Sequence, residues 1–377
     1  MNLKKLIAMS RKYGADSDYV LAGGGNTSYK EDDRMAVKAS GAKLADIDEA
    51  GFVEMNAAAL RAMVNKQYPA EDQAREAAAL EDMGKAKLPG QEAKRPSVEC
   101  ILHALFPFPY VLHVHPALIN GVTCGRAGEA FFSSHLAADD DLSAIWIPLT
   151  KPGFVLSKVC HEAFQAYDQA HGKPPQTMFL QNHGIFIAGG DPADIDRIMQ
   201  RVLKTISAQI KEEPDLTPEA EPEESRAFGE ALCRLYADKE GSAAALFFSN
   251  KQLSSFSEDS DSMRPLLQPF TPDHIVYCKA APLYLPSGAD IQTAFSEYTR
   301  INGYAPKIAV LQNAGAFALG KSKQEAEVAA AVFVDGIKIA VYARSFGGDL
   351  PLEKSFTDFI LNWEAESYRQ KASFQKA

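Results

Sequence analysis

Three histidines carry the strongest chemical signal in this sequence of 377 residues. His113 and His115 stand one residue apart in "YVLHVHPA", and side chains two positions apart in a strand point to the same side of a sheet. Both imidazoles can therefore reach one metal ion, and His183 in "LQNHGIFIAG" can supply a third nitrogen. Three protein ligands leave a coordination position open, which is typical of a catalytic zinc site. We therefore predict that these histidines bind Zn²⁺ or another divalent transition metal.

A carboxylate precedes the histidines in "PSVECILHALFP". Glu99 and His103 are four residues apart, so they share one face of a helix that Ser97 would cap. A glutamate in the first turn also complements the helix dipole, so the spacing alone leaves a structural role open.

Two loops of small residues are candidates for binding an anion. In "AGGGNTSYK" three glycines precede Asn26 and Thr27, and they follow an apolar "YVLA" that could form a strand. Ser40 and Gly41 follow the short predicted strand "MAVKA". Successive N–H groups in such turns can form an anion-binding nest. Neither loop has the spacing of a P-loop or of a dinucleotide-binding fold, and a plain turn is the alternative interpretation.

The third histidine, His183, lies in a predicted strand, turn and helix that occur twice in the sequence. The stretch "LQNHGIFIAG" begins at Leu180 and returns 131 residues later as "LQNAGAFALG", with six of ten positions identical. Each copy is followed by a helix-capping pattern and an apolar stripe at helical spacing. The second copy has Ala314 where the first has His183. We therefore predict a duplicated unit with one metal site, in the first copy.

Length and composition indicate two domains. A chain of this length with 46% hydrophobic residues can bury a large core. The segment "KEEPDLTPEAEPEES" contains seven acids and three prolines, so it reads as a solvated linker. We predict a catalytic domain at residues 1–210, a linker at 211–225, and a C-terminal α/β domain at 226–377 that is a degenerate repeat without metal ligands.

The same composition argues against several classes of partner. A net charge of -10 argues against a nucleic-acid surface. No apolar run approaches membrane-spanning length, and the N-terminal apolar stretch is too short for a signal peptide. Five scattered cysteines without a C-x-x-C pair indicate neither a disulfide framework nor a cysteine zinc site. We expect a cytoplasmic protein.

Taken together, the motifs resemble the class II aldolase/adducin family. "GGGNTS", "K-x-SG-x-x-L", "PS-x-E-x-x-x-H", "HVHP", "TKPGF" and "NHG" occur in the family's order over about residues 1 to 210. The helix "LHALFP" and the tail "FGGDLPLEKSFTDFILNWEAESYRQK" look closest to the aldolase portion of bifunctional rhamnulose-1-phosphate aldolase/alcohol dehydrogenases. No G-x-G-x-x-G occurs, so dehydrogenase activity is not carried over.

The resemblance implies a three-layer α/β/α fold and a homo-oligomer. It implies His113, His115 and His183 as metal ligands and Glu99 as the catalytic acid/base. It also implies a pocket for the substrate phosphate, formed by a set of small polar residues: Asn26, Thr27, Ser40, Gly41 and Ser97. The family often has a second serine before the glutamate, where this sequence has Val98, so one hydroxyl donor is absent.

The implied reaction is metal-dependent cleavage of a ketose 1-phosphate, such as rhamnulose or fuculose 1-phosphate, to dihydroxyacetone phosphate and an aldehyde. A sugar-phosphate epimerase or dehydratase on the same scaffold is the alternative, although 4-epimerases tend to have aspartate at the position of Glu99. A non-enzymatic, adducin-like interaction module is the third reading. Such modules generally lose the metal histidines, which this chain keeps.

Overall fold

The computed structural model describes residues 1–363, 368, 372 and 374. They form two compact units of mixed α/β structure. The first contains residues 1–123 and 127–209 together with the described residues from 363 on, and the second contains 124–126 and 210–362. A search of the described helices finds none long and apolar enough to cross a membrane.

A mixed sheet organises the first unit. Its strands are β1 (Asn26–Glu31), β2 (Arg34–Lys38), β3 (Phe52–Asn56), β4 (Tyr110–Val114), β5 (Ala144–Ile147), β6 (Thr177–Leu180) and β7 (Gly184–Gly189). Within the described residues the strand order is β3-β2-β1-β4-β7-β6-β5. Every neighbouring pair is antiparallel except β5 and β6, which are parallel.

Helices pack on both faces of this sheet. They are α1 (Lys4–Gly14), α2 (Ala57–Ala62), α3 (Asp72–Lys85), α4 (Cys100–Leu105), α5 (Ala117–Thr123), α6 (Gly128–Phe131), α7 (Phe154–His171) and α8 (Pro192–Ser207). Helix α8 contacts α1 and α5, and these three helices pack on strands β1, β4 and β7, whereas α4 and α7 pack together against β2 and β5. The apolar side chains of α4 and α7 share a core with Val111 and Phe186 of the sheet. The expected three-layer arrangement is therefore confirmed.

The second unit has a smaller sheet. The helices of this unit are α9 (Ser225–Glu240), α10 (Lys251–Phe256), α11 (Ser260–Met263), α12 (Pro272–Cys278), α13 (Ile291–Asn302), α14 (Lys323–Ala343) and α15 (Lys354–Asn362). Its strands are β8 (Ala244–Phe248), β9 (Leu283–Leu285), β10 (Ile308–Leu311) and β11 (Gly315–Gly320). Short 3₁₀ or π turns complete the two units at Glu49–Gly51, Met63–Asn65, Phe132–Leu136, Arg264–Leu266 and Arg344–Phe346.

The two sheets share one pattern of strand neighbours. The order β4-β7-β6-β5 in the first unit matches β8-β11-β10-β9 in the second, and the three pairings have the same senses. The turns after β6 and β10 also match: Gln181 N–H donates to Ile147 O at 3.0 Å, and Gln312 N–H donates to Leu285 O at 3.0 Å. The degenerate repeat stays a prediction, which this shared topology supports.

The helices after the two hairpins begin as the sequence predicts. Asp191 caps α8 with Pro192 at its first position, and Ser322 caps α14. The predicted stripes face inward, since Ile195, Ile198 and Phe333 are among the buried side chains of these helices.

Two local expectations were wrong. Tyr19–Ala22 is not a strand, because Ala22 has a φ of 52° and the chain turns there before β1 begins at Asn26. Ser97 does not cap α4: the helix begins at Cys100 after Glu99, and the Ser97 hydroxyl accepts a hydrogen bond from Glu99 N–H at 3.3 Å. Two residues of turn separate Ser97 from the helix, so its hydroxyl bonds Glu99 N–H and not an N–H of the first helical turn.

Candidate functional site

Strand register brings the candidate residues to one edge of the first sheet. Strand β4 runs antiparallel to both β1 and β7, so its end lies beside their beginnings. Asn26 pairs with His113 across one ladder, and His113 pairs with Phe186 across the other. His115 follows the end of β4, and His183 lies in the turn just before β7. The pattern H-x-H and the turn "NHG" thus meet at this edge.

The three imidazoles form a compact cluster. One nitrogen from each of His113, His115 and His183 lies within 4.8 Å of the others. The Nε2 atoms of His113 and His115 are 2.9 Å apart. His113 is fully buried and stacks on Phe186, with ring centroids 4.0 Å apart. Its Nδ1 lies 2.9 Å from Ile185 O, so Nδ1–H donates to the carbonyl and Nε2 is the nitrogen directed at the cluster.

Close backbone contacts shape this cluster. A Cβ on Gly184 would lie 2.6 Å from the His115 Cδ2, so only glycine lets that ring lie against the start of β7. Asn120 on α5 is fully buried, and its Nδ2 lies 3.5 Å from His115 O and 3.4 Å from His183 O. Thr123 Oγ1 donates to Asn120 Oδ1 at 2.9 Å, which fixes this amide. A donor set of three imidazoles held in this way fits a divalent transition metal.

Glu99 reaches into the same cluster from the start of α4. Its Oε1 lies 3.3 Å from His113 Nε2 and 3.2 Å from His183 Nε2. Burial alone would raise the pKa of this carboxyl, but His113 and His183 hold the pKa well below its ordinary value. The structure therefore places a carboxylate directly against the predicted metal ligands.

The face of β1 that carries Asn26, Ser28 and Lys30 packs on α4. Asn26 Nδ2 donates to Glu99 Oε2 at 2.6 Å, and Asn26 Oδ1 contacts His103 Nε2. The other ring nitrogen of His103 lies 2.8 Å from Ser28 Oγ, and Lys30 Nζ donates to His103 O at 2.9 Å. Strand residues two apart thus meet helix residues four apart, which is the match expected of the two periods.

The residues predicted to bind phosphate divide into two groups. Ser40 and Ser97 lie in adjoining half-buried segments, since Ser40 N–H donates to Arg95 O at 2.8 Å and Ser97 N–H donates to Lys38 O at 3.1 Å. Gly41, with a φ of 82°, belongs to the same place and lies against Ala372.

Asn26 and Thr27 are directed elsewhere. The amide of Asn26 contacts Glu99 and His103, and Thr27 points from the opposite face of β1 to Ser10, with 2.7 Å between the hydroxyl oxygens. Phosphate binding by these two side chains stays a prediction that their contacts do not favour.

Sequence reasoning missed two parts of the site. Asn120 was overlooked, although a lone polar residue in the apolar run "PALINGV" directly after the histidine pair could have drawn attention to it. His103 was noticed only for its spacing from Glu99. Its contact with Asn26 depends on strand β1 packing against α4, and no local pattern in the sequence contains that information.

Comparison with known proteins places the chain in a family. Over residues 4–210 the chain matches the model of the class II aldolase and adducin N-terminal domain. Among curated proteins it is similar to the uncharacterized oxidoreductase YuxG of Bacillus subtilis, with 23% identity over 97% of this chain and 58% of that protein. The chain thus spans little more than half the length of this relative.

Among solved structures the chain is similar to the N-terminal class II aldolase domain of a conserved protein from Thermoplasma acidophilum. The identity is 24%, the TM-score is 0.46, and the match covers 56% of this chain and 94% of that one. For L-fuculose-1-phosphate aldolase from Thermus thermophilus the identity is 14%, the TM-score 0.35, and the coverage 55% and 94%. Because the family model covers more than half of its residues, the chain belongs to the class II aldolase and adducin family.

Proposed function

We propose that this protein is a metal-dependent class II aldolase that cleaves a ketose 1-phosphate, such as rhamnulose or fuculose 1-phosphate, to dihydroxyacetone phosphate and an aldehyde. One observation carries the proposal: Glu99 Oε1 lies 3.3 Å and 3.2 Å from two imidazoles of the three-histidine cluster. An acid/base group and a metal donor set therefore face the same small volume, as cleavage of a carbon–carbon bond beside a carbonyl requires.

His113, His115 and His183 would hold the metal, with Zn²⁺ as the proposed ion. A divalent ion bound there supplies Lewis acidity, which stabilises the negative charge that develops on the substrate as the bond breaks. Nδ1–H of His113 donates to Ile185 O, so this ring presents Nε2 in a fixed direction.

Glu99 would move the proton. Retro-aldol cleavage removes a proton from the hydroxyl of the carbon that becomes the aldehyde. It returns a proton to the carbon of the dihydroxyacetone phosphate fragment that was on the other side of the broken bond. A carboxylate held by Asn26 on one oxygen keeps the other oxygen directed at the cluster, within reach of a bound substrate.

The phosphate would bind where Ser40, Gly41 and Ser97 adjoin. Lys38 stabilises this place, because its Nζ donates to Gly23 O at 2.9 Å and to Ala42 O at 2.7 Å and so joins the two glycine-containing loops. Binding energy from a phosphate remote from the reacting carbons can position them. Asn26 and Thr27 are proposed for the same phosphate site, although the Asn26 amide contacts Glu99 and the Thr27 hydroxyl contacts Ser10 in this structure.

The wider setting is also a proposal. We propose a cytoplasmic homo-oligomer that acts on a small sugar phosphate. The five cysteines are present as thiols, four of them buried, which supports a reducing compartment. The domain boundaries at residues 210 and 226 are proposed from the acidic, proline-rich composition of residues 211–225, and the second, metal-free copy of the hairpin is proposed from the repeated pattern of the sequence.

The test is a screen of sugar phosphates with detection of the released aldehyde, run with chelated protein and with added Zn²⁺. We expect zinc-dependent release of dihydroxyacetone phosphate from one ketose 1-phosphate. Formation of an epimer or loss of water in place of cleavage would replace the aldolase with the epimerase or dehydratase alternative. If the purified protein binds no transition metal and converts none of the sugar phosphates, the proposal that it is an enzyme is refuted.

A further inference from the structure

A continuous line of polar contacts runs from the interior of the first unit to Glu99. Ser28 Oγ lies 2.8 Å from His103 Nδ1, His103 Nε2 contacts Asn26 Oδ1, and Asn26 Nδ2 lies 2.6 Å from Glu99 Oε2. Ser28, Asn26 and Glu99 are buried, and His103 is fully buried. A buried chain of this kind stabilises a single arrangement only when each donor meets an acceptor.

Donor and acceptor rules allow one orientation of Asn26. A carboxylate only accepts hydrogen bonds, so the NH₂ of Asn26 must face Glu99 and its carbonyl oxygen must face His103. That oxygen in turn requires N–H on Nε2 of His103. Ser28 can donate to Nδ1, which leaves a neutral ring with its proton on the side of Asn26. Burial lowers the pKa of His103 well below its ordinary value, which supports the neutral ring.

His103 is held through both its backbone and its ring. Lys30 Nζ donates to the backbone carbonyl of His103 at 2.9 Å, and the ring meets the edge of Phe186 with 5.3 Å between centroids. Phe186 also stacks on His113. The carboxylate and one predicted metal ligand are therefore held by the same packed group of side chains.

We propose that His103 is a positioning residue that holds the Glu99 carboxylate in place through the amide of Asn26. With Nε2–H absent, Asn26 can turn its amide, and an amide oxygen would then oppose the carboxylate. The consequence for turnover rests on the proposed function, in which Glu99 is the acid/base, whereas the positioning of Glu99 does not.

Two amide variants separate the two ring nitrogens. In His103→Gln the longer side chain carries an NH₂ near the position of Nε2, so the bond to Asn26 is kept. In His103→Asn the shorter side chain reaches only the position of Nδ1, so the contact with Ser28 is kept and the bond to Asn26 is lost. The control for loss of a buried polar contact is Thr177→Val in β6. It removes a buried hydroxyl that donates to Leu142 O at 3.0 Å.

The kinetic readout is the division between kcat and KM. We expect His103→Asn to lower kcat about 10- to 100-fold with KM nearly unchanged, the usual effect of removing a partner that orients a reacting group. His103→Gln should retain most of kcat, and bound metal should be the same in all variants. In a double-mutant cycle, Asn26→Ala combined with His103→Asn should be little worse than Asn26→Ala alone. Additive losses, or a Gln variant as impaired as the Asn variant, would overturn the proposal.

A crystal structure of the metal-loaded His103→Asn variant makes the test independent of turnover. We expect the Asn26 amide to be reoriented and the Glu99 carboxylate displaced. An unchanged contact between Asn26 and Glu99 would overturn the proposal even if the enzyme cleaves sugars. Displacement of Glu99 in a protein that cleaves no sugar phosphate would support it and refute only the proposed function. If His103→Asn does not fold, His103→Met, which also lacks an N–H at the position of Nε2, takes its place, and the same two structural outcomes decide.

Discussion

Phe247 stands in the second sheet where His113 stands in the first. His113 is the ladder partner of Phe186, and Phe247 is the ladder partner of Phe317, the residue that corresponds to Phe186 in the repeated hairpin. Ser249 then takes the place of His115, and its Cβ lies 2.9 Å from the Cβ position of Gly315, as His115 lies against Gly184. With Ala314 in place of His183, all three donors are replaced, and an aromatic ring fills the space of the first.

The substitution His183→Ala should abolish metal binding with little loss of folding. Ala314 shows that the same turn between two strands forms with alanine at this position. We expect loss of stoichiometric zinc, measured by elemental analysis, and loss of activity. Chelation should lower the Tm of the wild type but not that of the variant, because only a protein that binds metal is stabilised by it.

The control is the reverse substitution in the other unit, Ala314→His, which should bind no additional metal. Phe247 and Ser249 offer no second imidazole there. Retention of one zinc per chain by His183→Ala would remove this histidine from the ligand set.

Glu99→Gln should impair chemistry and leave the metal in place. The amide keeps the size of the carboxylate but cannot accept a proton, so we expect kcat to fall about 10²- to 10⁴-fold, the range that general acid–base catalysis supplies. Steady-state kinetics with the preferred sugar phosphate, together with zinc content, measure this. An unchanged kcat would assign the acid/base role to another group.

Gly184→Ala should weaken metal binding although it replaces none of the predicted ligands. The new Cβ would lie 2.6 Å from His115 Cδ2 and 2.6 Å from Val114 O, so the ring must move. We expect zinc affinity to fall on the order of 10- to 100-fold, as when a group that orients a ligand is disturbed.

Gly84→Ala is the matched control for that variant. Gly84 lies in α3, and among the described residues beyond its own stretch of helix no atom lies within 4 Å of its Cβ position. The protein should gain roughly 0.5–1 kcal/mol of stability on this replacement. Equal zinc affinity in the two variants would show that the close approach of Gly184 to His115 is not needed.

Lys30→Met should change how stability depends on pH. Burial, together with the charge of Arg61, lowers the pKa of Lys30 from 10.5 to about 7. Between pH 7 and 10.5 the unfolded chain therefore holds this proton more than the folded protein does, so the free energy of unfolding rises with pH in this window. At pH 7 and below, the buried lysine costs stability on the order of 4 kcal/mol, and this cost disappears by pH 10.5.

We expect Lys30→Met to be more stable than the wild type at pH 7 by a few kcal/mol, less about 1 kcal/mol for the lost hydrogen bond to His103 O. The difference should vanish near pH 10. Urea unfolding of both proteins at the two pH values measures it. Parallel pH profiles would mean that Lys30 keeps an ordinary pKa in the folded protein.

The cluster of three histidines was predictable because each part of it has a local signature. An H-x-H in a strand fixes two side chains on one side, and the turn before Gly184 fixes the third. The helix caps at Asp191 and Ser322 are equally local, and both are confirmed.

Contacts between distant segments were not predictable in this way. The glycines before Asn26 suggested an anion-binding loop, but the structure begins β1 at Asn26 and turns its amide to Glu99, 73 residues later in the chain. Thr27 then points to the opposite face, because side chains alternate along a strand. The first residue of a strand decides which side chains lie on each face of the sheet. Composition does not determine that residue to within one position.

The left-handed turn residues Asn182 and Asn313, with φ of 55° and 58°, show what the two hairpins still have in common. Asparagine adopts this conformation more readily than most residues, so both hairpins have a residue that suits the turn. The paired positions therefore separate two kinds of constraint within a single molecule. Positions that agree between the hairpins indicate what the turn needs in order to form, and the change from His183 to Ala314 removes only the nitrogen that the proposed metal site needs. The second hairpin therefore serves as an internal reference for the first and is present in every molecule.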